Sequence, residues 1–328
     1  MKKLLKKTLK LILPVVLGGF ILFWVYRDFD FTKAGDVLLH GTNWWWMLFS
    51  LVFGVFAQVF REWRWRQTLE PLDAFPKKSD CVNAIFISYA ASLVVPRIGE
   101  VSRCGVLAKY DNVSFAKSLG TVVTERLVDT LTILLITGIT VLLQLPIFVT
   151  FLQQTGTKIP SLVHLLTSVW FYIILFCFIG VAILLYYLRK TLFFYERVKG
   201  FVLNIWEGIM SLKGVRNIPL FIFYTLAIWA CYFLHFYFTF YCFAFTAHLG
   251  ILAALVMFVG GTFAVIVPTP NGAGPWHFAI ISMMMLYGVN VTDAGIFALI
   301  VHGIQTFLVV LLGIYGFAAL SFTNRHRG

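Results

Sequence analysis

The sequence predicts an all-α, polytopic integral membrane protein, and three observations carry that prediction. Sixty per cent of its 328 residues are hydrophobic and only 12% are charged, against about 25% charged in ordinary soluble domains. The mean hydropathy is +0.88. Apolar stretches of bilayer-spanning length recur along the chain, and the basic residues gather between them. A chain with so little water-facing surface turns the remainder to lipid.

A span needs about 20 apolar residues, because a helix rises about 1.5 Å per residue across a hydrocarbon core about 30 Å thick. Six stretches qualify: 9–26, 43–60, 126–145, 166–188, 219–245 and 294–320. The first follows Lys2, Lys3, Lys6, Lys7 and Lys10 in the manner of a signal peptide, but no small-residue cleavage site comes after it. An uncleaved first span is expected. Trp44, Trp45 and Trp46 open the second span and suit the interfacial aromatic belt. Segment 191–213 mixes Phe193, Phe194, Phe201 and Ile205 with Arg197, Lys199 and Glu207, a pattern for an amphipathic helix lying on the inner surface.

Two apolar segments are too short to span. Segment 81–95 ends at Pro96-Arg97-Ile98-Gly99-Glu100; segment 249–267 reaches Pro268-Thr269-Pro270-Asn271-Gly272-Ala273-Gly274-Pro275, and 276–289 is short again. Helices of about 14–15 residues cover only about 21–23 Å. Proline and glycine interrupt both segments, and such backbone survives at membrane depth only when buried in protein or lining a wet cavity. Both are read as re-entrant hairpins. The expected domain is then a single membrane unit over 1–328: six full spans plus two hairpins, with repeat one at about 1–147 and an inverted repeat two at about 166–320.

The placement of charge tests this layout. The net charge is +12, but the basic residues flank spans, as on the cytoplasmic face of a membrane protein beside anionic lipid; nucleic acid is excluded as a partner. Arg61, Arg64, Arg66, Lys77 and Lys78, which follow the second span, are assigned to that face. With both termini cytoplasmic, only Arg27, Lys33 and Lys158 of the 26 Lys and Arg fall outside. The expected location is a bacterial-type cytoplasmic (inner) membrane.

Candidate binding residues cluster at the breaks. Arg97, Gly99, Glu100 and Arg103 follow the first proline, and Glu125, Arg126 and Asp129 open the next span, with Glu125 and Asp129 on one helical face. Ionisable groups beside apolar spans are costly and serve a pathway or a ligand. Two readings stay open: these groups pair with one another to pin the hairpin, or their guanidinium forks hold a phosphate. At the second break Pro268, Pro270, Gly272, Gly274 and His277 cannot continue a helix. The next helix would aim its positive N-terminus into the gap; a plain external loop is the alternative. No metal or nucleotide fingerprint occurs, no cofactor is expected, and His235 and His302 lack partners at ligand spacing. The five cysteines form no CxxC pair and read as apolar filler.

VPRIGEVSR, TERLVD about 25 residues later and PTPNGAGPWH in the second half together resemble the flippase-like membrane family that includes the transmembrane region of lysylphosphatidylglycerol synthases. The family pattern PxPGGxGxxE is broken twice, by Asn271 at its first glycine and His277 at its glutamate. The resemblance implies movement of an anionic or phosphate-containing lipid between leaflets. No soluble aminoacyl-transferase domain follows the last span, so lipid aminoacylation by this chain alone is not expected. The alternatives are a membrane-embedded transferase acting on a lipid-linked substrate and a non-transporting partner subunit. Membrane lipids are the expected partners, and a homo-oligomer or a partner membrane enzyme is compatible with the sequence.

Overall fold

The computed structural model describes residues 2–146 and 210–324, together with residues 149, 176, 200, 203 and 206, and for residues 2–12 it describes the backbone. The predicted span 166–188 and the surface helix 191–213 lie almost wholly outside the described residues. Within them the chain is all helix: α1 (Lys2–Tyr26), α2 (Phe31–Asp36), α3 (Trp44–Leu69), α4 (Lys78–Val94), α5 (Ile98–Tyr110), α6 (Phe115–Leu143), α7 (Ile218–Tyr237), α8 (Ile251–Ala264), α9 (Pro275–Leu286) and α10 (Val291–Thr323). Four helical stretches among the described residues are long and apolar enough to cross a membrane: Trp44–Leu72, Phe115–Leu143, Ile218–Cys242 and Val291–Thr323.

Polar caps start the long helices. The Asn43 side chain accepts from the amides of Trp45 and Trp46, Ser114 from Lys117, Asn217 from Leu220 and Asn290 from Asp293, which satisfies amides that a helix start leaves free. Between caps the exterior is apolar. On α6 Leu127, Leu131, Leu134, Leu135 and Leu142 are exposed, a stripe at helical spacing that suits hydrocarbon rather than water.

Close helix contacts run through small residues. α10 seats on α4 at Gly313 and Gly316, where a Cβ on Gly316 would meet the Asn83 carbonyl oxygen at 3.0 Å. Small residues let backbones approach where apolar lipid supplies no hydrophobic drive for association.

The turns gather at two ends. At one end Lys33 pairs with Asp293, Tyr287 donates to Gln144, and the Asn43 amide donates to the Cys242 carbonyl. At the other, Asn324 of α10 reaches Asp80 of α4, and the Lys77 amide meets the Asp111 carboxylate at 3.4 Å. That last contact brings the two feet of the α4–α5 pair together, so the chain returns to the end it left. α8 and α9 likewise pack side by side, with Leu249 before α8 and Val289 after α9 in one buried cluster at the first end. These pairs therefore enter the bundle from opposite ends. At 1.5 Å per residue, α8 and α9 are about 21 and 18 Å long, short of a bilayer core.

The structure corrects one sequence assignment. Helix α3 does not stop near Phe60; it continues to Leu69 with Arg61 and Arg64 buried at 3% and 1% exposure. They face neighbouring helices rather than anionic lipid, because acids on α6 neutralise part of their charge.

Candidate functional site

The two breaks meet. A cavity of about 590 Å³ is walled by Ser88, Tyr89 and Ser92 of α4, Pro96 and Arg97 of the first break, Gly99, Glu100 and Arg103 of α5, Arg61 of α3, Arg126 and Thr130 of α6, Thr262 of α8, and residues Val265 through Thr269, Asn271 and Gly272 of the second break. Of the residues predicted from sequence, Arg97, Gly99, Glu100, Arg103, Arg126, Pro268 and Gly272 line it.

The first break is built by a close approach. A Cβ on Gly99 would overlap the Ser88 carbonyl and Ser92 Oγ, so only glycine lets α5 turn back directly along α4. The Gly99 amide donates to Ser92 Oγ at 3.2 Å, and Ser92 Oγ donates to the Ser88 carbonyl at 3.0 Å. Arg97 sits at the turn with a left-handed backbone, φ +66°. For a residue with a Cβ this conformation costs about 1–2 kcal/mol, and such strain collects at functional positions. Arg97 is exposed to the cavity and has no ion pair among the described residues.

Behind the cavity lies a buried ionic cluster. Glu125 of α6 meets Arg61 and Arg126 at 2.5 Å, Arg103 at 3.1 Å and Arg64 at 3.7 Å. Asp129, one turn on, meets Arg64 at 2.8 Å, Arg61 at 2.9 Å and Arg126 at 3.2 Å. Arg126 also reaches Glu100 at 3.5 Å. The walls extend the network: Arg103 lies 4.7 Å over the Trp65 ring, and Arg61 lies over Tyr89 and Tyr232, whose hydroxyls are hydrogen-bonded at 2.8 Å. Four arginines face two buried carboxylates, which leaves a surplus of two positive charges. Arg97 and Glu100 at the cavity margin add one charge of each sign and do not change it. Low-dielectric surroundings make an uncompensated charge expensive, so the arrangement favours an anion in the cavity.

Most hydroxyls around the cavity donate within their own helices: Ser88 to Ile85, Thr130 to Arg126 and Thr262 to Phe258. The Thr269 hydroxyl is without a partner among the described residues, and the other free donors come from the arginines. Arg103 Nη2 is buried without a hydrogen-bond partner among the described residues.

The second break has a different character. Pro270, Gly274 and His277 do not line the cavity; they hold its wall against α1. Gly274, at φ +94°, packs so tightly that a Cβ would stand 2.9 Å from Ile21 Cβ and 3.0 Å from the Gly18 carbonyl oxygen. Its amide donates to Nδ1 of buried His277 at 3.3 Å. A glutamate three residues into a helix makes this same reach back to the cap amide. The histidine thus supplies a capping acceptor at the position where the family pattern has a glutamate. Asn271 is left-handed, φ +52°, which asparagine tolerates best after glycine, so both departures from the pattern keep the backbone. Asn271 donates to Thr306 at 2.7 Å, and His302 Nε2 donates to the Asn271 carbonyl at 3.1 Å.

Arg61 and Arg64 are the members of the cluster that apolar length alone misses. Gly54, Ala57, Gln58, Arg61, Trp65 and Leu69 are all buried on α3, at steps of three and four that continue the inward face of the span through its charges.

Searches of curated proteins and of solved structures return no significant match. The family model described as the lysylphosphatidylglycerol synthase TM region matches residues 11–313. With the two breaks, the buried cluster and nearly the full length accounted for, the chain belongs to the family of the lysylphosphatidylglycerol synthase transmembrane region.

Proposed function

We propose that this membrane protein moves a lipid with an anionic or phosphate-containing headgroup between leaflets, through the cavity where the two breaks meet. The observation that carries this reading is the surplus of two positive charges behind a cavity at the tips of two helix pairs entering from opposite ends. The cavity margins fit the rest of a lipid. Val94 and Ile98 flank the first break and Val265 and Ile266 the second, and all four are exposed. Acyl chains stay against this apolar rim while the headgroup meets the arginines, so neither part is transferred into the wrong medium.

In this reading α4–α5 and α8–α9 are re-entrant hairpins of an inverted repeat, and six spans place both termini on the cytoplasmic side of an inner membrane. Arg97, Arg103 and Arg126 bind the headgroup, with Gly99 setting the approach of α5 and Glu100 trimming the charge. Glu125 and Asp129 hold the arginines in place. Pro268 and Gly272 form the opposing wall, braced by Pro270, Gly274 and His277. Inverted repeats with broken helices at matching positions place transport sites at the breaks.

Reconstitution tests the proposal. Proteoliposomes holding the full chain and a trace of head-labelled phosphatidylglycerol are treated with a membrane-impermeant quencher. Loss of label from both leaflets, against half in protein-free vesicles, supports translocation; half in both refutes it.

A further inference from the structure

We infer that the cavity is matched to a phosphate monoester, presented as the doubly charged headgroup of a lipid, in preference to the singly charged diester of most phospholipids. This rests on the translocation reading above and deepens it by naming the headgroup class.

Charge and donor count both favour a monoester. Arg61, Arg64, Arg97, Arg103 and Arg126 exceed Glu100, Glu125 and Asp129 by two charges, Glu100 meeting Arg126 at 3.5 Å. A diester anion would leave one positive charge uncompensated in a low-dielectric site, where a lone charge is costly. A phosphate monoester carries about −1.5 to −2 near neutrality and three strong acceptor oxygens. The donors that remain free suit three acceptors. Arg97 has no ion pair among the described residues. Arg103 Nη2 is buried without a partner. Arg126 is 40% exposed at the cavity wall. Inorganic phosphate offers the same chemistry without the acyl chains that the apolar rim of Val94, Ile98, Val265 and Ile266 accommodates.

The test uses the full-length protein in non-ionic detergent at mildly alkaline pH. Binding of dioleoyl phosphatidic acid, dioleoyl phosphatidylglycerol, dioleoyl phosphatidylcholine and inorganic phosphate is read from the ligand dependence of the thermal unfolding midpoint. The expected result is phosphatidic acid binding at least about tenfold tighter than phosphatidylglycerol, a discrimination of about 1.4 kcal/mol. Arg97→Gln lowers the surplus to one, and its side chain holds no ion pair, so the variant keeps its fold. It is expected to weaken both lipids, phosphatidic acid the more, and so to narrow that preference to within about threefold. Equal binding of monoester and diester to the wild type overturns the charge match and leaves the translocation reading standing. Inorganic phosphate competing as well as phosphatidic acid makes the occupant a soluble anion and overturns both. Failure of every phosphate compound to bind overturns both as well.

Discussion

Gly99→Ala is the most economical perturbation of the site, because the structure puts a single methyl group where none fits. The new Cβ would stand 2.7 Å from the Ser88 carbonyl carbon, whereas carbon atoms rest at about 3.5–4.0 Å. The Ser88 carbonyl oxygen lies nearer still, so α5 must lift from α4 by more than about 1 Å. Overpacking of this kind costs about 1–3 kcal/mol, and the lift stretches the 3.2 Å bond from the Gly99 amide to Ser92 Oγ, worth about 0.5–1.5 kcal/mol. The total is about 1.5–4.5 kcal/mol. At roughly 2 °C per kcal/mol for a chain of this size, the unfolding midpoint falls by about 3–9 °C. Translocation falls with it, since Arg97, Glu100 and Arg103 lie at the start of α5 and move with it. Gly105→Ala is the matched control: nothing lies within 4 Å of its Cβ, and alanine gains up to about 1 kcal/mol of helix propensity there. The assay is thermal unfolding of both purified variants in detergent beside their scrambling rates. Identical midpoints would mean that α5 is not seated on α4 and that this wall of the cavity is wrongly built.

The ionic cluster predicts an asymmetry between its signs. Glu125→Gln leaves four arginines facing one buried carboxylate and is expected to cost about 3–5 kcal/mol in thermal unfolding. Arg126→Gln removes one of a surplus, from a half-exposed position, and is expected to cost under about 1 kcal/mol while slowing scrambling; equal losses would refute the charge count. Arg97→Gly relieves a left-handed backbone, so the midpoint is expected to hold or rise while scrambling is lost. A stable, active variant would remove Arg97 from the site. At the second break, His277→Ala loses the Gly274 cap, worth about 1 kcal/mol, whereas His277→Glu keeps an acceptor for it. Unfolding midpoints in the order Glu below Ala would contradict the capping role.

Much of this was legible in the chain. Proline and glycine mark both breaks, and the spacing of Glu125 and Asp129 puts them on one face. Other features were hidden for physical reasons. A hydropathy window ends α3 where charge begins, but the buried face carries on through Arg61 and Trp65 because acids on α6 meet the arginines there. No single-segment reading can see a partner on another helix. The two readings of the charged groups also prove compatible: the groups pair with one another, and the pairing leaves positive charge over. His277 stands in the motif as a ligand candidate, and in the structure its Nδ1 accepts from the Gly274 amide at the start of a helix. Pairing across helices α3, α5 and α6 is a tertiary fact that the order of residues does not display.

The central claim is that lipid passes through the cavity between the breaks, and adjacent residues on α6 test it. Thr130 lines the cavity, while Leu131 is exposed at 68% on the apolar exterior and does not line it. Scrambling of head-labelled lipid is measured in proteoliposomes holding equal amounts of folded wild type, Thr130→Trp and Leu131→Trp. Tryptophan at Thr130 is expected to plug the cavity and reduce the rate at least about tenfold, close to the protein-free background, while tryptophan at Leu131 leaves it unchanged. Full activity of the Thr130 variant, or equal loss in both, would contradict it.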